Sequence, residues 1–343
     1  MKRFKRSWII PLMLMILAVV IVVAASIGTV YVPIQSIIRI ILNKLGLVNN
    51  SGFEPYQMAI IYSVRLPRVL AAVLIGSALA TTGAVLQGMF RNPMADPGII
   101  GVSSGAGLGA VTAIALGLSA SSIFYLPLFA SVGALLAALI IFVLSLRGGK
   151  VAVFTLILSG IAVSTFLGAI TSMILSFTSK DNVHEFLFWS MGNLYSIRWE
   201  SVQLVFIPII IGVVILITFA RDLNVMLLGE EEAQSVGVNS SKIRMLILIV
   251  ASITTAAAVC ISGPISFVGL IVPHIMRIIL GPDHRLLLPA SAVAGAIFLV
   301  ICDLIARIAF APIEINVGII TSLVGAPYFL YLLIRSRRAG GVF

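Results

Sequence analysis

The chain has 343 residues, of which 60% are hydrophobic and 10% charged, and its mean hydropathy is +1.19. Soluble domains carry about 25% charged residues, so the composition excludes a water-soluble globule and points to a polytopic membrane protein. The formal net charge is +10, and the two cysteines, Cys260 and Cys302, lie inside apolar runs as small core residues rather than a disulfide or metal pair.

A membrane helix needs about 20 apolar residues, which leaves room for roughly ten spans in one transmembrane domain over residues 1–343. The long unbroken runs exclude a β-barrel, whose strands alternate apolar and polar positions. MKRFKRSWIIPLMLMILAVVIVVAAS begins with basic residues like a signal peptide. Its apolar run exceeds the roughly 7–15 residues of such a leader, so a retained first span is expected over 8–30. Residues 33–48, PIQSIIRIILNKLGLV, are amphipathic and expected along the outer surface. Span two covers 66–88 and opens at RLPR (65–68). Span three, 98–118, overlaps NPMADPGIIGVSSGAGLG (92–109), with Pro93 and Pro97 before Gly101, Gly105 and Gly109. Helices broken by Pro and Gly mark transport pathways, whereas small residues at this spacing also let helices approach closely. Both readings stand. GAGLGA (105–110) resembles a dinucleotide fingerprint, but no strand precedes it and it lies in an apolar helix, so that reading is rejected.

Spans four to six cover 124–146, 151–177 and 200–220. The loop 179–199 between the last two holds a short aromatic helix, and Trp189, Tyr195 and Trp199 suit an interfacial belt. A polar segment over about 221–242 follows, containing LLGEEEAQSVGVNSSK (227–242). Gly229 is placed to cap or hinge a short helix. Glu230, Glu231 and Glu232 then fill the first turn, facing the positive end of the helix dipole. Gly237 ends that helix, and Asn239 or Ser240 caps span seven. Successive residues point about 100° apart on a helix, so these carboxylates fan out and do not make one metal site. The segment is either a rigid acidic knob or a solvated loop.

Spans seven to ten cover 243–262, 265–280, 286–308 and 315–334. The eighth contains GPISFVGLIVPHIMR (263–277), broken by Pro264, Gly269 and Pro273. TTGAVLQG (81–88) before the first break echoes TTAAAVCISG (254–263) before the second, which suggests two weakly related halves. Asp303 and Arg307 stand at i,i+4 in span nine and neutralise each other, so a coupling-ion site has little support. His184, His274 and His284 are scattered and form no zinc or haem set.

Ten spans place both termini on one side, and the positive-inside rule makes that side cytoplasmic. Fifteen of the 22 Lys and Arg residues then face inward, among them Lys2, Arg3, Lys5, Arg6, Arg91, Arg147, Lys150 and Arg221. Topology and anionic lipid account for the net charge without a nucleic-acid partner. No G-x-x-x-x-G-K-[ST] occurs, and GGKV (148–151) lacks its spacing. Active transport would need a borrowed motor or an ion gradient.

The run LLGEEEAQSVGVN resembles the coupling segment of FecCD-type permeases, which carry iron-siderophores, haem or cobalamin within ATP-binding-cassette importers. RLPR, GAVLQGMFRNPMADPGIIGVSSGAG (83–107), GPISFVGLIVPHIMR, DHRLLLPAS (283–291) and DLIARIAFAPIEINVGIITSLVGAPYFLYLL (303–333) extend the resemblance over nearly the whole chain. It implies an all-α permease with ten transmembrane helices, some short or broken, in the cell (inner or plasma) membrane of a prokaryote. It also implies a second permease subunit, identical or not. Two cytoplasmic ATPase subunits would dock on Gly229, Glu230, Glu231, Glu232, Ala233 and Gly237, and would use ATP; no cofactor is expected on the chain itself, which is not an enzyme.

An extracytoplasmic substrate-binding protein would present acidic lobes to Arg65, Arg68 and Arg307, whose planar forks suit carboxylates. Snorkelling at a helix start competes for the first two, and capture by Asp303 or Glu314 competes for Arg307. His274 and Arg277 suit either the ATPase interface or a structural role. Ferric siderophore is the preferred cargo, with cobalamin or haem as alternatives in the family and a gradient-driven carrier as the alternative from another class. A bulky cargo calls for small and hydroxyl side chains along its path. Ser159, Ser164, Thr165 and Thr171 in span five are candidates, unless they bond within the bundle.

Overall fold

Our computed structural model describes residues 8–338 apart from 29, 45, 48–51 and 149. Lys2, Arg3, Lys5 and Arg6, and the side chains of Arg147, Lys150, Arg335, Arg337 and Arg338, lie outside the described set. Helix α1 (Ile9–Ser26) is apolar throughout, and α2 (Ile34–Lys44) is amphipathic. Ile37 and Ile40 of α2 are buried with Val32, Ala25 and Ile61, while Ile34, Ile38 and Ile41 are exposed.

α3 (Pro55–Met58) passes through a π turn (Ala59–Arg65) into α4 (Leu66–Phe90). Together they form a continuous 36-residue helix. The expected start at residue 66 is therefore too late. Glu54 caps the true start, where its N–H donates to Gln57 Oε1 at 3.2 Å. Pro67 lacks an N–H and crowds the preceding turn, and the widened π turn takes up the misfit. Arg91 ends α4 in the left-handed conformation.

A 3-10 turn (Pro97–Ile100) leads into α5 (Val102–Ala115), then α6 (Leu118–Ser121) and α7 (Tyr125–Ser145). A minimal antiparallel hairpin pairs β1 (Leu146–Arg147) with β2 (Lys150–Val151). After it come α8 (Val153–Ser176), α9 (Lys180–Ser190), α10 (Trp199–Thr218), α11 (Ala220–Met226) and α12 (Glu230–Ser235). The chain continues through α13 (Ser240–Ser262), α14 (Val268–Leu280), α15 (His284–Ile308) and α16 (Val317–Arg338).

Among the described residues, seven segments (α1, α3–α4, α7, α8, α10, α13 and α15) are long and apolar enough to cross a membrane. Three shorter apolar helices, Val102–Ala115, Val268–Leu280 and Val317–Leu332, complete the ten expected places. Each half repeats one motif: a long helix (α4, α13), a Gly/Pro turn, and a short helix (α5, α14).

α4 is buried along almost its whole length and packs on α10, α13, α14 and α15. Its contact with α15 is backbone to backbone, since a Cβ on Gly76 or Gly295 would collide with the other's carbonyl. Gly105 and Gly109 meet Gly133 and Phe129 of α7 in the same manner, so these two glycines serve helix packing. Trp189 is buried in the main core, and Trp199 Nε1 donates to the Tyr62 carbonyl at 2.7 Å. Of the three belt candidates only Tyr195 is exposed.

Candidate functional site

Polar groups gather at the two ends of the bundle. At one end, α12 forms a two-turn knob. Gly229, with φ of 150°, precedes it, and Glu230, Glu231 and Glu232 occupy its exposed first turn. Ala233 is fully buried beneath them. Gly237, at φ of 81°, closes the helix: its N–H donates to the Gln234 carbonyl at 3.0 Å, and Val238 N–H donates to the Ala233 carbonyl at 2.9 Å. That pair of bonds is the Schellman arrangement, which favours glycine at the left-handed position. Asn239 accepts the Lys242 N–H at 3.0 Å and caps α13. Glu230 lies 3.6 Å from Arg244, and at that length, with Glu230 56% exposed, the pair contributes little. Leu228 and Val236 are 71% and 65% exposed, so the knob presents acidic and apolar groups side by side.

The second broken segment is repaired by a residue that went unread in the sequence. Pro273 removes the N–H that the Gly269 carbonyl would receive in a regular helix. Gln87 of α4 fills the gap, with Nε2 donating to the Gly269 and Leu270 carbonyls at 3.2 and 3.0 Å. Its Oε1 accepts Arg277 Nη1 at 2.8 Å. Arg277 thus turns inward, and His274 packs edge-on to Tyr328 with ring centres 6.5 Å apart. A lone glutamine in a helix of small and apolar residues, its partners 182 to 190 residues away, was the only available signal.

At the opposite end, Arg65, Arg68, Arg307 and Glu314 line one cavity of about 140 Å³. The three arginines do come together, but none stands free at the surface. Arg65 donates to the carbonyls of Ala25 and Ser26 at 2.8 and 2.9 Å and to that of Val30, so it caps the C-terminus of α1. Arg68 Nε meets Asp303 Oδ1 at 2.9 Å, and its Nη1 meets Glu314 Oε2 at 2.6 Å. Arg307 Nη2 donates to the Ala24 carbonyl at 2.9 Å, and its Nε lies 3.2 Å from Asp303 Oδ2 as an ion pair short of hydrogen-bond alignment. Internal capture, weighed for Arg307, thus extends to all three. Arg65 and Arg68 lie well inside a helix that starts at Pro55 and Arg307 is buried beside them, and in a membrane protein a buried guanidinium does not remain unpaired.

Three of the four candidate hydroxyls of α8 bond to its own backbone. Ser159, Thr165 and Thr171 donate to the carbonyls four residues back, at 2.7, 2.8 and 2.9 Å. Thr165 is exposed, Ser159 and Ser164 are half-buried on the flanks, and Thr171 is buried. The exposed face continues from Thr165 through Gly168, Ala169, Ser172 and Ser176. Ser190, Ser266 and Ser322 help line a separate cavity of about 410 Å³ between α9, the α13–α14 turn and α16. None of these three was singled out in the sequence, because they come from three distant segments.

A bundle of ten apolar helices with broken segments in both halves and an acidic knob at one end defines a membrane permease. Residues 16–335 match the FecCD transport family, and the chain belongs to that family. It is 48% identical over 282 residues to the cobalamin import system permease BtuC of Halobacterium salinarum, covering 82% of this chain and 75% of that one. It is 44% identical over 330 residues to an uncharacterised ABC transporter permease, YvrB, of Bacillus subtilis, covering 94% and 92%. The hemin transport permease HmuU of Yersinia pestis is 41% identical over 278 residues, covering 80% and 83%. A solved inward-facing structure assigned to a metal-chelate type ABC transporter superposes with a TM-score of 0.84 at 31% identity, covering 96% of this chain and 99% of that one. The chain is therefore a multi-pass permease subunit of an ABC importer, and transport rather than catalysis is its role.

Proposed function

We propose that this chain pairs with a second permease subunit to form the path for a bulky metal chelate, driven by ATPase subunits docked on α12. The observation that carries the ATPase reading is the knob itself. Gly229, Gly237 and buried Ala233 fix its shape, while Glu230, Glu231, Glu232, Leu228 and Val236 face outward with one weak ion pair among the described residues. The α12 end is then cytoplasmic, as are both termini, and the arginine end is the side from which a substrate-binding protein delivers cargo.

An acidic lobe reaches Arg68 by displacing Glu314, which at 26% exposure is the accessible member of the cluster. The path runs past Thr165, Gly168, Ser172 and Ser176 of α8 and the serine-lined cavity beside α16. Cobalamin is the first cargo to test, because identity to a cobalamin permease, 48%, exceeds the 41% to the haem permease. Ferric siderophore, expected from the resemblance, is the second. Proteoliposomes holding the permease, its ATPase and its binding protein are supplied in turn with labelled cobalamin, haemin and ferric hydroxamate. ATP-dependent accumulation of one of them is expected. Uptake that ignores ATP and collapses with an ionophore would instead identify a gradient-driven carrier.

A further inference from the structure

The knob is tied to the rest of the bundle by side chains on α11. Asn224 Oδ1 accepts the backbone N–H of His284 at 2.9 Å and lies 2.8 Å from His284 Nδ1. Its Nδ2 donates to Asp283 Oδ1 at 2.7 Å. A backbone N–H only donates and a carboxylate only accepts, so the amide has a single orientation and His284 Nδ1 carries the proton. Asp283 also caps α15 by accepting the Arg285 N–H at 3.1 Å. Two residues further along α11, the Met226 carbonyl accepts a bond from Arg91, the residue that ends α4.

α11 is thus fastened to the first turn of α15 and the last turn of α4. Those helices are held against each other in three places. A Cβ on Gly88 would strike the buried His284 ring, Gly76 and Gly295 touch through their backbones, and Arg68 pairs with Asp303 at the far end. α12 also adjoins α13 along the chain, and the ion pair between them, Glu230–Arg244, is long at 3.6 Å, with Glu230 56% exposed and Arg244 15% exposed. Part-buried hydrogen bonds of 2.7–2.9 Å, one of them to a carboxylate, hold more firmly than an ion pair at 3.6 Å with one exposed member.

We propose that Asn224 is the positioning residue that transmits movement of α12 into the α4–α15 pair, so that the knob and the arginine cluster bias one two-helix unit. This rests on the ATPase-docking reading of α12. The test uses the complete complex of permease, ATPase and binding protein in proteoliposomes. Asn224→Asp sets a carboxylate against Asp283 while keeping an acceptor for His284. The exchange Asn224→Asp with Asp283→Asn restores a donor–acceptor pair of reversed polarity, and asparagine still caps α15.

The single variant should retain its full ATPase complement and keep basal hydrolysis within about twofold. Uptake per ATP, and stimulation of hydrolysis by the binding protein, should each fall by at least about fivefold. The exchange should recover both. A single variant with wild-type uptake per ATP, or a loss that the exchange leaves unrepaired, overturns the proposal. So does loss of the ATPase from the single variant, because Asn224 would then be shaping the docking face itself. Alanine at Glu230, Glu231 and Glu232 tests the docking reading separately: unchanged ATPase binding and coupling there removes α12 as the docking element, whatever Asn224 does.

Discussion

Replacing Asp303 by alanine isolates the energetics of the arginine end. Asp303 is 1% exposed, accepts Arg68 Nε at 2.9 Å and stands 3.2 Å from Arg307 Nε. Its removal leaves two guanidiniums, each about 5% exposed, with Glu314 reaching only Arg68. Taking one partner from a buried ion pair costs about 3–5 kcal/mol, chiefly because the remaining charge is uncompensated. Asp303→Asn keeps the acceptor and the shape, so its loss should be smaller, about 1.5–3 kcal/mol. A triple replacement, Arg68→Met with Asp303→Leu and Arg307→Met, removes both ion pairs of Asp303 at once, leaving Arg65 on its carbonyls and Glu314 partly open to water, and should fall close to wild type. Unfolding by titrated SDS in mixed micelles, checked by size-exclusion monodispersity, gives the three values. If Asp303→Ala lies within about 1 kcal/mol of wild type, or no lower than the triple variant, buried charge is not what holds this end together.

Glu314→Gln removes the exposed competitor for Arg68, so the binding protein should dock about two- to fivefold more tightly at low salt and lose that gain at high salt. Unchanged affinity in a pull-down titration would take Arg68 out of the docking reading. Gly237→Val forces a β-branched residue into the left-handed region, at about 1–2 kcal/mol. It should distort the knob and reduce ATPase retained per permease on co-purification while the bundle stays monodisperse. On α8, Thr165→Trp should slow vesicle uptake without disturbing assembly, since Thr165 is exposed, whereas Thr171→Trp should disturb assembly because Thr171 is buried. Equal uptake by Thr165→Trp and wild type would move the path off this face.

The knob was legible because every device that shapes it is local. Gly229, the glutamates, Gly237 and Asn239 act within a few residues of one another, and capping chemistry specifies each position. The ten helices were legible because the bilayer sets their length. Two features were hidden for different reasons. The helix carrying Arg65 and Arg68 begins at Pro55, since a π turn lets it run through Pro67, a residue that reads as a start. Arg68's partners lie 235 and 246 residues away, beyond the reach of any spacing rule. Gln87 was hidden in the same way, its partner being the carbonyl that Pro273 leaves without a donor 182 residues later.

These cases share a cause that also sorts structural polar groups from functional ones. Inside a bilayer a polar side chain must find its partner within the protein, so most of the polar residues in the spans are already engaged. Gln87 closes a broken helix, Arg65 caps one, Asp303 joins two, and the α8 hydroxyls return to their own backbone. A polar type in an apolar run is therefore weak evidence of a ligand contact. The stronger evidence is a charged group that the fold shapes with care and leaves open. Glu230, Glu231 and Glu232 meet that condition: two glycines at positive φ and a buried alanine hold them, yet among the described residues only Glu230 has an ion-pair partner, and a weak one. The arginine cluster meets it only through Glu314, the member that water and an incoming carboxylate can both reach.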